Sequence, residues 1–147
     1  MRKTFLLLAL VIAGTAAQAQ ILPFISKRQP TAPVLQGIDA LRADFAAQSG
    51  GTTIYFGSDS SALGVPARTV LVAQAAWLRR HPEVVVRVEG YGDTGDTRDH
   101  SLAMGARRAE EVRSYLVLLG IPSAQVSATS WGKERSGLGR SVTVLLR

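Results

Sequence analysis

The sequence predicts an α/β fold: a two-layer sandwich in which two main helices cover one face of a mixed four-stranded sheet. Two observations carry this prediction. Short segments alternate apolar and polar residues or are rich in β-branched residues, as strands are, and two longer segments repeat apolar residues at helical spacing. The segments follow one another as β-α-β-α-β-β, an order that favours helices packed on a sheet and two final strands that close as a hairpin.

The first strand and the first long helix occupy the middle of the chain. Residues 52–56, Thr-Thr-Ile-Tyr-Phe, are β-branched and aromatic, which favours a strand. A helix then begins near Pro66, because proline is tolerated in a first helical turn, and it ends before His81 and Pro82. The core-facing stripe of this helix is Val70, Leu71, Gln74, Trp77 and Leu78.

The second half of the chain repeats the pattern. Valines alternate with other residues over 84–89, which makes this segment the clearest strand. A second long helix is predicted over residues 101–119, since Gly120 stands where helices often end. Alternation over residues 126–131 and 142–146 predicts the last two strands.

Residues 1–19 have the pattern of a secretory signal peptide. Arg2 and Lys3 precede an apolar run over residues 5–13, and small residues lead to a cleavage site after Ala19. A membrane-spanning helix needs about 20 apolar residues and this run is shorter, so a retained anchor is the less favoured alternative. We therefore expect export, with no transmembrane span after cleavage.

Residues 20–51 are predicted to be a linker that ends in a short amphipathic helix. Its prolines fix the backbone and remove donors, which favours extended chain before the helix. Apolar residues near helical spacing over 38–46 predict the helix, which would close at Gly50. The remaining residues, 52–147, are predicted to form one globular domain.

Composition excludes several classes of protein. The chain has 147 residues, too few for a TIM barrel or a large multidomain enzyme. Without cysteine it cannot form disulfides, zinc–thiolate sites, iron–sulfur clusters or a cysteine nucleophile. Its formal charge of +6 falls to +4 when Arg2 and Lys3 leave with the signal peptide. Export argues against nucleic acid as a partner and against nucleotide cofactors, so we expect no cofactor and only a general attraction to an anionic envelope.

Ionisable residues are concentrated over residues 93–100, Asp-Thr-Gly-Asp-Thr-Arg-Asp-His. This loop follows a strand and precedes a helix, a position typical of sites for charged ligands, although a solvated acidic turn fits it equally well. The Asp-Thr-Gly of aspartic proteases occurs here, but that motif needs a β-rich dimer with paired carboxylates. The spacing of Asp93, Asp96, Asp99 and His100 fits neither a calcium loop nor a zinc motif, so we expect no metal and no catalysis.

Three segments resemble a known family. Residues 54–59, Ile-Tyr-Phe-Gly-Ser-Asp, look like the opening strand and loop of the OmpA-like, or Pal-like, peptidoglycan-binding domain. Residues 86–93 are similar to its V-x-V-E-G-[HY]-[AT]-D motif, and residues 105–112 to its [SG]-x-R-R-A-x-x-V motif. The resemblance covers residues 52–147. It implies an α/β sandwich that binds the peptide stem of peptidoglycan, through diaminopimelate in most Gram-negative walls, without catalysis.

The resemblance also implies a ligand-binding site. The family's loop aspartate falls on Asp93, and its helix arginine falls on Arg108. Diaminopimelate carries ammonium and carboxylate groups, which a carboxylate and a planar guanidinium recognise through charge-assisted hydrogen bonds. By position, the resemblance adds Asp59 and Thr97 to the site. It also adds Ser101, which replaces the usual asparagine and could cap the helix.

The predicted function is that of an exported, non-catalytic protein that holds the peptide stem of the wall and supports the integrity of the envelope. We expect it in the periplasm, with association with the outer membrane and with other envelope proteins left open. Ser101, Ala106 in place of the usual glutamate, and a short loop over residues 132–140 depart from the family pattern. They motivate an alternative: an envelope scaffold, or a partner of a secretion or motility system, that has lost wall binding.

Overall fold

A computed structural model describes residues 37–135 and 140–147. The predicted signal peptide and residues 20–36 of the predicted linker lie outside the described residues. The described part is an α/β fold of three helices and a small sheet, which confirms the predicted class. In chain order its elements are α1 (Ile38–Ser49), β1 (Thr53–Tyr55), α2 (Val65–Arg80), β2 (Val86–Tyr91), α3 (Arg98–Leu118), β3 (Val126–Gly132) and β4 (Ser141–Leu146), with a 3₁₀ turn at Ser123–Gln125.

The strands lie in the order β1-β4-β2-β3. β2 and β3 are parallel and are joined by α3, whereas β4 runs antiparallel to both of its neighbours. The predicted closing hairpin of the last two strands is therefore wrong. Parallel neighbours need a long crossover, which α3 supplies, and β4 inserts between β1 and β2 instead. In this central position Val142, Val144 and Leu146 are at most 1% exposed, so the strand buries its whole apolar face.

α1 packs on α2 through aromatic side chains. Phe45 is fully buried, and its ring meets that of Trp77 edge-on with the centroids 5.1 Å apart. The Trp77 indole N–H donates to Asp44 Oδ2 at 2.6 Å. α1 ends at Gly50, as predicted, because this glycine adopts the left-handed conformation (φ 73°) that is favoured just after the last helical residue. α1 thus shares the core of the other helices, and the boundary between linker and domain stays a prediction.

α3 lies directly on β2 where two glycines meet. A Cβ atom on Gly90 would overlap the carbonyl oxygen of Gly105, so larger residues would hold the two backbones apart. This contact sets the height of the helix above the sheet. It therefore also sets the position of Arg108, which lies less than one helical turn beyond Gly105.

Candidate functional site

Asp93 stands just beyond the end of β2 and forms an ion pair with Arg108. Arg108 Nη2 lies 2.8 Å from Asp93 Oδ1, and the arginine and aspartate side chains are 0% and 15% exposed. The other carboxylate oxygen, Oδ2, accepts hydrogen bonds from Ser58 Oγ and from the backbone N–H of Asp59, each at 3.2 Å. The two residues that the family resemblance pairs are therefore in direct contact.

Arg108 is held by the protein on several sides. Its Nε donates to the carbonyl of Ser60 at 2.8 Å, Nη1 to that of Tyr91 at 2.9 Å and Nη2 to that of Gly57 at 3.0 Å. The guanidinium carbon also lies 5.6 Å from the centre of the Phe56 ring. Arg108 thus ties α3 to the end of β2 and to the loop that follows β1. A bond from this guanidinium to a ligand carboxylate would require some of these contacts to open.

Asp93 carries a fixed negative charge. Burial raises the pKa of its carboxyl, but hydrogen bonds from the Asp59 N–H, the adjacent Arg108 guanidinium and the Ser58 hydroxyl outweigh burial and hold the pKa below its ordinary value of 3.8. At neutral pH the site therefore contains a carboxylate whose geometry and charge are both set by its neighbours.

Stability should depend on pH through Asp93 only in acid. Because the pKa of Asp93 is lower in the folded chain than in the unfolded chain, its charge stabilises the fold above the ordinary pKa. This contribution is lost as pH falls through the folded value. We expect the difference in unfolding free energy between wild type and Asp93→Asn to be constant from about pH 5 to 8 and to shrink below about pH 4. Urea denaturation across this range measures the difference, and a gap that stays unchanged in acid would contradict the assignment.

The loop after β1 brings Asp59 to the edge of the site. Its side chain is 69% exposed and lies 2.9 Å from His100 Nε2, so Asp59 contacts Asp93 through its backbone N–H and not through its carboxylate. His100 also lies 3.5 Å from Asp96 Oδ2. Sequence reasoning did not assign His100 to the ligand site. The feature that could have indicated this role is the position of His100 in the acidic loop over residues 93–100.

Thr97 and Ser101 both support the site from the start of α3. Thr97 is the N-cap, and its Oγ1 accepts the backbone N–H of His100 at 3.3 Å. Ser101 is buried within the helix and its Oγ donates to the carbonyl oxygen of Asp93 at 2.7 Å. The predicted helix start and cap at Ser101 are therefore wrong: the helix begins at Arg98, because the Thr97 hydroxyl already satisfies a first-turn N–H.

A polar cleft of about 490 Å³ opens at Asp93. Its lining residues are Ser58, Asp93, Thr94, Gly95, Asp96 and Arg140. Arg140 is exposed and supplies a cation to a cleft that otherwise holds two carboxylates. Sequence reasoning missed Arg140 because it is distant from Asp93 along the chain. Its carbonyl accepts the N–H of Phe56 at 2.8 Å, which holds the start of β4 beside the loop that follows β1.

Other kinds of site have little support in the part of the chain that the structure describes. There, no group of three or more histidine and acidic side chains is arranged to hold a metal ion. The described helices include none that is long and apolar enough to cross a membrane. Asp93 is paired with a guanidinium, whereas the Asp-Thr-Gly of an aspartic protease requires two carboxylates that share a proton.

Comparison with known proteins defines the class. The model of the OmpA family matches residues 55–141, and the chain belongs to this family, which confirms the resemblance seen in the sequence. The chain is 42% identical over 85 residues to the peptidoglycan-associated lipoprotein of Mesorhizobium japonicum. This match covers 58% of this chain and 51% of that protein. The chain is also 42% identical over 98 residues to the peptidoglycan-associated lipoprotein of Pseudomonas aeruginosa. This match covers 67% of this chain and 58% of that protein. The chain thus spans about half the length of the curated relatives that it matches.

Solved structures agree with this class. The crystal structure of the peptidoglycan-associated lipoprotein from Burkholderia pseudomallei is similar, with a TM-score of 0.64 and 30% identity, and the match covers 67% of this chain and 92% of that chain. The C-terminal domain of Helicobacter pylori MotB has a TM-score of 0.59 at 20% identity, which shows a shared fold.

Proposed function

We propose that this chain is an exported, non-catalytic protein that holds the peptide stem of peptidoglycan non-covalently and supports the integrity of the cell envelope. One observation carries the proposal: the ionised Asp93 lies in a polar cleft and is held in place by an ion pair with the buried Arg108. Membership of the OmpA family and similarity to peptidoglycan-associated lipoproteins support it.

The group that fits this cleft best is diaminopimelate. Its ammonium would bind the carboxylates of Asp93 and Asp96, and its carboxylate would bind the exposed guanidinium of Arg140. A volume of about 490 Å³ is within the usual range for small-ligand sites, about 300 to 1,000 Å³. We assign the direct donor role to Arg140 because Arg108 is already bonded to three carbonyls and to Asp93. Arg108 then keeps Asp93 charged and in place.

The remaining predicted site residues have supporting roles in this proposal. Thr97 caps the helix that carries Arg108, and the backbone N–H of Asp59 orients the Asp93 carboxylate. Ser101 departs from the family pattern, but its hydroxyl holds the Asp93 carbonyl. This substitution therefore leaves Asp93 in the cleft, and we favour wall binding over the scaffold alternative.

We further propose that the site belongs to a domain over residues 52–147, a mixed four-stranded sandwich with its two main helices on one face. The signal peptide over residues 1–19 would export the protein. The protein would then act in the periplasm, where it can reach the wall and the outer membrane.

Co-sedimentation with purified sacculi tests the assignment of Arg140. Arg140→Gln should weaken binding about tenfold or more, because a charge-assisted hydrogen bond is worth about 1.5 to 3 kcal/mol. Arg107→Gln is the matched control, since Arg107 is exposed on α3, does not line the cleft and loses the same charge. Equal binding by the two variants would remove Arg140 from the site.

Competition identifies the ligand group. Free diaminopimelate should release the protein from sacculi, whereas cadaverine, which has both ammonium groups on the same carbon chain but no carboxylate, should not. If the folded wild-type protein fails to bind sacculi at all, the proposed function is rejected and the scaffold alternative is preferred.

A further inference from the structure

His100 connects the two loops that border the cleft. It lies in the first turn of α3, and its Nε2 is 2.9 Å from Asp59 Oδ1 and 3.5 Å from Asp96 Oδ2. Asp59 belongs to the loop that follows β1, and Asp96 to the loop that follows β2. A single imidazole therefore bridges carboxylates from both sides of the site.

The bridge holds a residue whose backbone conformation is uncommon. Asp59 has a φ of 45°, in the left-handed region that residues other than glycine seldom occupy. In this conformation its N–H reaches Asp93 Oδ2 at 3.2 Å. A strained backbone persists where surrounding contacts fix it. The contact of the exposed Asp59 carboxylate with His100 is such a restraint.

We infer that His100 is a positioning residue for the wall-binding site: its contact with the Asp59 carboxylate keeps the loop after β1 in the conformation in which the Asp59 N–H bonds Asp93. This inference rests on the proposed function. His100 would act on the ligand only through Asp59, whose backbone N–H orients the Asp93 carboxylate.

Removal of the imidazole should therefore weaken binding to sacculi. For His100→Ala we expect affinity about two- to fivefold lower than for the wild type, the range that a contact between exposed charged groups supplies. His100→Gln should restore most of the affinity, because its side-chain amide N–H can donate to the Asp59 carboxylate. His81→Ala is the matched control: His81, the other of the two histidines, stacks on Trp77 with the ring centres 3.9 Å apart and should bind like the wild type when replaced.

A second readout does not depend on the wall. In the free protein, the NMR shift of the Asp59 amide should change in His100→Ala and stay close to the wild-type value in His100→Gln and His81→Ala. Absence of wall binding by the wild type overturns the proposed function and the inference with it. Three results overturn the inference alone: wall binding that His100→Ala leaves unchanged, a loss that His100→Gln does not restore, or an Asp59 shift that His100→Ala does not alter.

Discussion

The substitution Arg108→Met is expected to lower the free energy of unfolding by about 3 to 5 kcal/mol, the cost of leaving one partner of a buried ion pair alone. Methionine fills much of the same space but donates no hydrogen bond. The carboxylate of Asp93 would lose its counterion, and the carbonyls of Gly57, Ser60 and Tyr91 would lose their donors. Urea denaturation monitored by circular dichroism measures the loss.

The neighbouring arginine provides the control. Arg107 is exposed on the same turn of α3, so Arg107→Met should change stability by no more than about 0.5 kcal/mol. The double substitution Arg108→Met with Asp93→Asn should be more stable than the sum of the two single losses predicts, because it leaves no unpaired charge. If Arg108→Met were as stable as Arg107→Met, the structural role assigned to the buried guanidinium would be wrong.

The substitution Asp93→Asn is expected to reduce binding to sacculi by at least about tenfold. Asparagine keeps the size of the side chain and one carbonyl acceptor, but it removes the charge that an ammonium group requires, worth about 1.5 to 3 kcal/mol in a charge-assisted hydrogen bond. Asp99→Asn carries the same change of charge at an exposed position in the first turn of α3, and it should bind like the wild type. Retained near-ultraviolet circular dichroism would show that Asp93→Asn is folded.

The elements of the fold could be predicted from local pattern, whereas their arrangement depended on distant contacts. Alternation located β2 and β4 to within about two residues, since apolar spacing reflects which face of a strand is buried. The place of β4 between β1 and β2 is not a local property. It follows from the crossover through α3, which makes β3 parallel to β2 and leaves the other side of β2 open to β4.

For the candidate site, too, the sequence predicted the residues but not the features that depend on distant contacts. The family resemblance paired Asp93 with Arg108, and the structure places them 2.8 Å apart. It could not show that Arg108 is wholly buried, because that depends on three carbonyls brought together by tertiary packing. Arg140 was missed for a related reason: only the central position of β4 brings this residue to the cleft at Asp93.

The central claim is that the cleft at Asp93 receives the diaminopimelate end of the peptide stem. The most direct test is NMR titration of the ¹⁵N-labelled protein with a soluble muropeptide that contains diaminopimelate. The predicted result is that amide shifts concentrate at Ser58, Asp59 and residues 93–96, and that Asp93→Asn abolishes them. Saturable shifts centred elsewhere in the domain, or shifts that are unchanged in Asp93→Asn, would contradict the assignment of the site.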